Sequence, residues 1–222
     1  MDAEKNDEDL AQEVDGLKRK LEDERCRLND GNLVVISHNV DPIPTVNARV
    51  RRVLKGHQGK VLSLAWGTDK RHIVSSSQVS FPMGFIIRHL LKDGKILVWD
   101  AFTMNKEFVI SMPTTWVMAC AYSPSGNYVA CGGLDNKCTV YPLTPEEDPV
   151  LKKKLVATHM SYLACCQFNI SDHQLLTGSG DSTCVLWDIE SAQIIQSFHG
   201  HSGDVLSISL SPSESGRVFV SA

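Results

Sequence analysis

Long apolar runs are missing from this chain of 222 residues. The longest, Phe81 to Leu91, is broken by Arg88 and His89 and falls well short of the ~20 residues that cross a bilayer. A basic surplus is missing too. Lys and Arg number 22 against 26 Asp and Glu, so the formal charge is -4 and no nucleic-acid stripe is expected. The acid excess lies in residues 1–28, where ten acidic side chains face six basic ones. No Cys-x-x-Cys pair occurs among Cys26, Cys120, Cys131, Cys138, Cys165, Cys166 and Cys184, and no His joins them at ligand spacing. A metal site is therefore not expected, and neither is a cofactor. No charged-then-apolar leader opens the sequence, so reduced thiols packed as small core residues of a cytoplasmic protein are the expectation. Gly132-Gly133 lacks the following Lys and helix signal of a phosphate-binding loop.

What is present falls into two parts. Leu10, Val14, Leu17, Leu21 and Leu28 recur at spacings of four and three, with Glu24 in the remaining seam position and charge on the faces between. This heptad pattern predicts a coiled-coil helix over residues 1–28. Such a helix is marginal alone in water, so it needs a partner chain or, on the plainer reading, its own domain to lie on. Residues 29–48, with Gly31, Pro42 and Pro44, read as a linker.

From Arg49 to Ala222 short β-type runs alternate with turn residues, and they repeat. Gly56-His57 is followed by Val61 to Trp66, His72 to Ser77, and Ile96 to Asp100. The same order returns from His159 through Tyr162 to Phe168, Gln174 to Ser179, and Cys184 to Asp188. A further unit opens at Gly200-His201, continuing in Val205 to Leu210 and Arg217 to Ser221. Between the first two lies a degenerate unit with strands at Trp116 to Tyr122, Tyr128 to Gly132 and Cys138 to Tyr141, and Asp135 in a turn. His159 and His201 are 42 residues apart, the period of a four-stranded propeller blade. The first unit carries 14 extra residues, Val79 to Lys92, in a tight hairpin site. This insert, VSFPMGFIIRHLLK, is apolar and unlike a surface loop, and we read it as translated non-coding sequence. The fold class predicted is all-β: about three and a half propeller blades preceded by a helix.

Each complete unit offers His, Ser or Thr, Asp, and Trp in one order: His57, Ser75, Asp93 and Trp99, then His159, Thr177, Asp181 and Trp187. A buried chain of these groups would satisfy its polar members and stiffen the blade. Asp, His and Ser also make a hydrolase triad, but a triad would occur once, and here the set recurs with Ser in mid-strand and no nucleophile elbow. No catalytic residue is assigned. Lys152-Lys153-Lys154 reads as solvated surface.

The run Trp116 to Tyr122, then Ser123 to Asn136, closely resembles the second repeat of heterotrimeric G-protein beta subunits. Thr103 to Lys106, Gly200 to Val205 and the heptad helix agree. Leu17 to Arg25, Ser75 to Gln78, Lys152 to Lys154, Ser197 to His201 and Ser211 to Gly216 are most similar to the divergent fifth beta type. The resemblance implies a WD-repeat β-propeller of seven blades. It implies that the helix pairs with a gamma subunit or the gamma-like domain of a regulator of G-protein signalling. It implies a top face that binds an alpha subunit and effectors through Lys60, Leu62, Trp116, Met118, Leu134, Asn136, Tyr162, Asp204 and Leu206. Lys95, Asn105 and Lys106 match the blade edge that meets the alpha subunit. The protein would then be cytoplasmic and reach the plasma membrane only through partners.

Strand alternation by itself leaves Trp116 and Met118 equally suited to the core. The resemblance also leaves a shortfall. The repeat pattern stops at Ala222, and the blade expected to close a ring onto Arg49 to Leu54 is not in the sequence. Three readings follow: a signalling adaptor of the beta-subunit kind, a truncated or mis-spliced product without that activity, or a generic WD-repeat scaffold. The open sheet edges lead us to expect an isolated chain of low stability.

Overall fold

Alternating short runs of β-branched, aromatic and sulfur-bearing residues become fourteen strands among the described residues, all antiparallel to their sheet neighbours. The computed structural model describes residues 13–14, 16–20, 23, 38, 41, 44–45, 47–78, 94–114, 116–144, 148–211 and 216–222. The chain divides into two units, residues 1–50 and 51–222. In the first, residues 13–14, 16–20 and 23 are helical, and Val14 and Leu17 are exposed. Leu10, Leu21 and Leu28 lie outside the described residues.

The second unit holds the sheets. Blade 1 comprises β1 (Val61–Trp66), β2 (His72–Ser77), β3 (Lys95–Asp100) and β4 (Lys106–Ser111). Blade 2 comprises β5 (Val117–Tyr122), β6 (Tyr128–Gly133), β7 (Lys137–Pro142) and β8 (Lys154–Thr158). Blade 3 comprises β9 (Leu163–Phe168), β10 (Gln174–Ser179), β11 (Thr183–Asp188) and β12 (Gln193–His199). A half-blade of β13 (Ile208–Leu210) and β14 (Phe219–Ser221) follows. Each sheet is a meander, so sequence neighbours pair.

The core lies between the sheets. Val74, Ile96, Val98 and Ile110 of blade 1 meet Val117, Val129 and Tyr141 of blade 2. Ala119, Ala130, Val140 and Val156 of blade 2 meet Leu163, Phe168, Leu175 and Trp187. Small residues on one sheet opposite large ones on the next let the faces interdigitate. The cysteines join this packing: Cys120, Cys131, Cys138 and Cys184 are buried, Cys165 and Cys166 partly so, and all six are free thiols. Burial pushes Cys120 and Cys165 up to about 12, which makes them poor nucleophiles.

Turns follow the same repetition. Three residues join β6 to β7 and three join β10 to β11, each ending in a left-handed residue, Asn136 at φ 62° and Ser182 at φ 68°. That is the three-residue hairpin of a type I turn with one left-handed position. Between β2 and β3, seventeen residues stand where the other blades have three. The excess of fourteen falls where the repeat spacing placed it, although Val79 to Lys92 are outside the described residues. Arg49 to Leu54 form no strand.

Candidate functional site

Blade 3 shows the repeated polar chain in full. β10 presents Thr177 between β9 and β11, and its hydroxyl is wholly buried. The Trp187 indole N–H donates to Thr177 Oγ1 at 2.8 Å, and His159 Nε2 faces the same oxygen at 2.8 Å. Thr177 Oγ1 also lies 3.1 Å from the Val185 carbonyl. On the outer side of the ring, His159 Nδ1 donates to Asp181 Oδ2 at 3.0 Å, and the Met160 amide reaches the same oxygen. Burial would raise the Asp181 carboxyl, but hydrogen bonds from Thr183 and His159 hold it below the usual carboxylate value. Every polar member is satisfied.

Blade 1 repeats the arrangement. His57 Nε2 lies 2.6 Å from Ser75 Oγ, and Trp99 Nε1 donates to that oxygen at 2.8 Å. His57 Nδ1 is buried and has no partner among the described residues. Asp93, the sequence counterpart of Asp181, is outside them. Burial and the nearby Lys106 charge lower the His57 pKa. Lys106 Nζ lies 5.6 Å from the centre of the Trp99 ring, a cation–π contact. Gly56 leaves room for it: a Cβ there would fall 2.2 Å from Lys106 Cε. The half-blade carries the same pair, His201 Nε2 to Ser221 Oγ at 2.7 Å. Ser221 escaped the sequence reading because the matching Trp is not in the chain.

Blade 2 was read as degenerate, and strand register shows what replaces the missing groups. The Met112 amide donates to the Gly94 carbonyl as His159 does to Asn136, so Met112 stands in the histidine position. Cys131 pairs with Thr139 as Thr177 pairs with Val185, and Tyr141 takes the tryptophan position. Tyr141 Oη donates to Met112 Sδ at 2.9 Å, and Cys131 Sγ lies 3.7 Å from the Thr139 carbonyl. A sulfur relay thus fills a slot built for imidazole and hydroxyl.

These relays are structural in kind. The Ser75 and Thr177 hydroxyls are enclosed between strands, so neither can meet a substrate. Among the described residues no three His, Cys, Asp or Glu side chains are grouped to hold a metal.

The second feature is a rim. β1, β5 and β9 begin at the end of the sheets where β6–β7 and β10–β11 turn, because Val61, Val117 and Leu163 pair with Ser77, Gly133 and Ser179. That topology puts Lys60, Leu62, Trp116, Met118, Leu134, Asn136, Tyr162, Asp204 and Leu206 at one end. Trp116 is 39% exposed, while Val117 beside it is wholly buried. Leu134 N donates to the Trp116 carbonyl at 3.2 Å. Asn136 Nδ2 donates to the Met160 carbonyl at 3.4 Å, and Tyr162 Oη donates to Asp204 Oδ2 at 2.5 Å. That bond raises the Tyr162 pKa. Met160, the most exposed apolar side chain of this rim, was not singled out from the sequence. Lys95 opens the inner strand β3 at the rim, whereas Asn105 and Lys106, the latter opening the edge strand β4, lie toward the far end of the same blade, so the structure does not bring the three together.

Comparison with known proteins agrees with these features. A family model described as G protein beta WD-40 repeat protein matches residues 4–222. The zebrafish (Danio rerio) guanine nucleotide-binding protein subunit beta-5b is 54% identical over 196 residues, 87% of this chain and 46% of that protein. The chain therefore spans about half the length of this curated relative. Two solved structures, described as U3-55K and as the RRP9 WD40 repeats, each match with a TM-score of 0.57 at 22% identity, covering 71% of this chain and 44% of theirs. At that identity they speak for the fold alone. The family model and the sequence identity agree: the chain belongs to the G protein beta WD-40 repeat family, with beta-5-like sequence.

Proposed function

We propose that this protein is a non-catalytic adaptor of G-protein signalling. Its N-terminal helix pairs with a gamma subunit or a gamma-like domain of a regulator of G-protein signalling. Its rim binds an alpha subunit or an effector, and it reaches the plasma membrane from the cytoplasm through those partners. The observation that carries the reading is the exposure of Trp116 beside Leu134 on a rim shared with Lys60 and Asp204. Aromatic and aliphatic anchors beside opposite charges have the make-up of an energetic centre in protein interfaces. Membership of the family supports the same reading.

The test is co-expression with a gamma-like domain, followed by pull-down of an alpha subunit. We expect a soluble complex, and Trp116→Ala should weaken alpha-subunit binding about tenfold or more. Failure to bind either partner, with a full-length beta-5 control binding both, overturns the proposal. One observation favours a second reading, a product without this activity: the seventeen-residue connection between β2 and β3 adjoins Lys95. If the chain binds only once Val79 to Lys92 are deleted, that reading prevails.

A further inference from the structure

A cleft runs between blades 2 and 3 at the end opposite the rim. The β5–β6 turn, the end of β7 and the entry to β8 form one wall, and the β9–β10 and β11–β12 turns form the other. Both sheets are complete, so the cleft owes nothing to the half-blade. Its volume is about 790 Å³, in the range of ligand-binding clefts. Two hydrogen bonds cross it from blade to blade and fix its width. The Ser125 amide donates to Asp172 Oδ1 at 3.1 Å, and Lys154 Nζ donates to the Glu190 carbonyl.

The buried Val140 and the half-buried Ile189 give the cleft an apolar floor, and Tyr128 and Pro142 flank it. Strand register pairs Lys154 with Val140 directly across β7 and β8. Side chains opposed in this way share one sheet face about 5 Å apart, so a cation stands beside the apolar floor. The run Lys152-Lys153-Lys154, which reads as solvated surface in the sequence, thus has one member built into a cleft. The hydrogen bond of Lys154 goes to a neutral carbonyl, and among the described residues it makes no ion pair, so its charge is not cancelled there. Of the two carboxylates on the cleft, that of Asp172 is engaged by the Ser125 amide, and Glu190 stands exposed at the β11–β12 turn. The Asn127 carboxamide makes no side-chain hydrogen bond among the described residues, and it offers the donor and the acceptor that a peptide group needs.

We infer that this cleft binds an extended acidic peptide segment of a partner protein, with an apolar side chain over Val140 and Ile189 and a carboxylate on Lys154. Side chains two residues apart in an extended chain share a face at ~7 Å, which sets the acidic residue two positions from the apolar one. Apolar burial supplies affinity, and the ammonium selects the sign of the partner's charge. The cleft and the Trp116 rim lie at opposite ends of the sheets, so the inference does not depend on the proposed alpha-subunit contact.

A displayed library of random heptapeptides, panned on the full chain, tests this. The selected peptides should carry Asp or Glu two positions from a large apolar residue. Fluorescence anisotropy of their consensus peptide should show the dissociation constant rising about tenfold or more with Lys154→Glu, and likewise with Tyr128→Ala, which removes a wall of the cleft. Glu190→Gln takes away a like charge and should tighten binding about twofold. Circular dichroism matching the unsubstituted chain confirms that the variants fold. Lys154→Met, which keeps the stem and drops the charge, replaces Lys154→Glu if the latter does not. No selected peptide, or a consensus that is basic or uncharged, overturns the inference. An acidic consensus whose binding falls with Trp116→Ala but not with Lys154→Glu also overturns it, since that peptide sits on the rim. Binding that none of these substitutions alters overturns it as non-specific adsorption.

Discussion

The Trp187 indole N–H donates to the Thr177 hydroxyl oxygen across 2.8 Å, inside a sheet where that hydroxyl has no solvent exposure. Thr177→Val keeps the shape and removes the oxygen. Trp187 Nε1 and His159 Nε2 would both lose their partner, at about 1–3 kcal/mol for each group left unsatisfied. Urea denaturation should show this loss. Thr177→Ser keeps the oxygen, as Ser75 does in blade 1, and should cost about 1 kcal/mol or less for the lost methyl.

The sulfur relay of blade 2 should be weaker. Tyr141→Phe removes the bond to Met112 Sδ and leaves only a thioether without its donor. We expect a loss near 1 kcal/mol, below that of Thr177→Val in the same assay. A loss as large as that of Thr177→Val would show that sulfur serves here as well as oxygen.

Gly133 lies beneath the rim. A Cβ there would fall 1.8 Å from the Trp116 carbonyl and 3.0 Å from the Met118 amide. Gly133→Ala must push the start of β5 outward, at about 1–3 kcal/mol of overpacking. Trp116 would move with it. Intrinsic tryptophan emission should shift, and alpha-subunit binding should fall together with stability.

His72 gives blade 1 a dependence on pH. Its Nδ1 faces Asp69, and its Nε2 lies 3.1 Å from Glu107 Oε2. Burial alone would lower its pKa, but the Asp69 hydrogen bond and the Glu107 charge raise it above 6.5. A raised folded value means that the stabilisation is complete below 6.5 and is lost as pH rises through the folded value. The Asp69 carboxyl is lowered from 3.8 despite its desolvation, through backbone bonds from Arg71 and His72 and the His72 ring, so its share is lost as pH falls through the folded value. The stability gap between the unsubstituted chain and His72→Gln should therefore be widest between these limits and close as pH rises through the folded value of His72. Melting curves across that range check it.

Much of this was legible in the sequence, for physical reasons that differ by element. The repeat spacing located the blades and the fourteen-residue excess, because a four-stranded sheet fixes a period of 40–45 residues. The relay members of blades 1 and 3 could be named because polar residues recur among apolar ones. The outer strands β4, β8 and β12 were not recognised. Their burial patterns are broken, as in Lys106–Ser111, since one edge faces solvent and alternation fades. The relay of blade 2 was illegible because Met112, Cys131 and Tyr141 resemble ordinary core residues, and only strand register reveals their places. The bulge between Val117 and Ala119, which sends those two side chains to different cores, is not predicted by alternation alone.

Blade 2 is the sheet with a complete sheet on either side, and it also holds the sulfur relay. In an array of stacked sheets, stability is a sum of each sheet's own term and its contacts with neighbours. Its flanks therefore compensate for its softer interior. Amide protons of β6 and β7 should exchange with solvent most slowly, and protection should decline toward β1 and toward β14. Unfolding would then begin as fraying from both termini of the array, so the sheet with the weakest internal bonding would be the last to open.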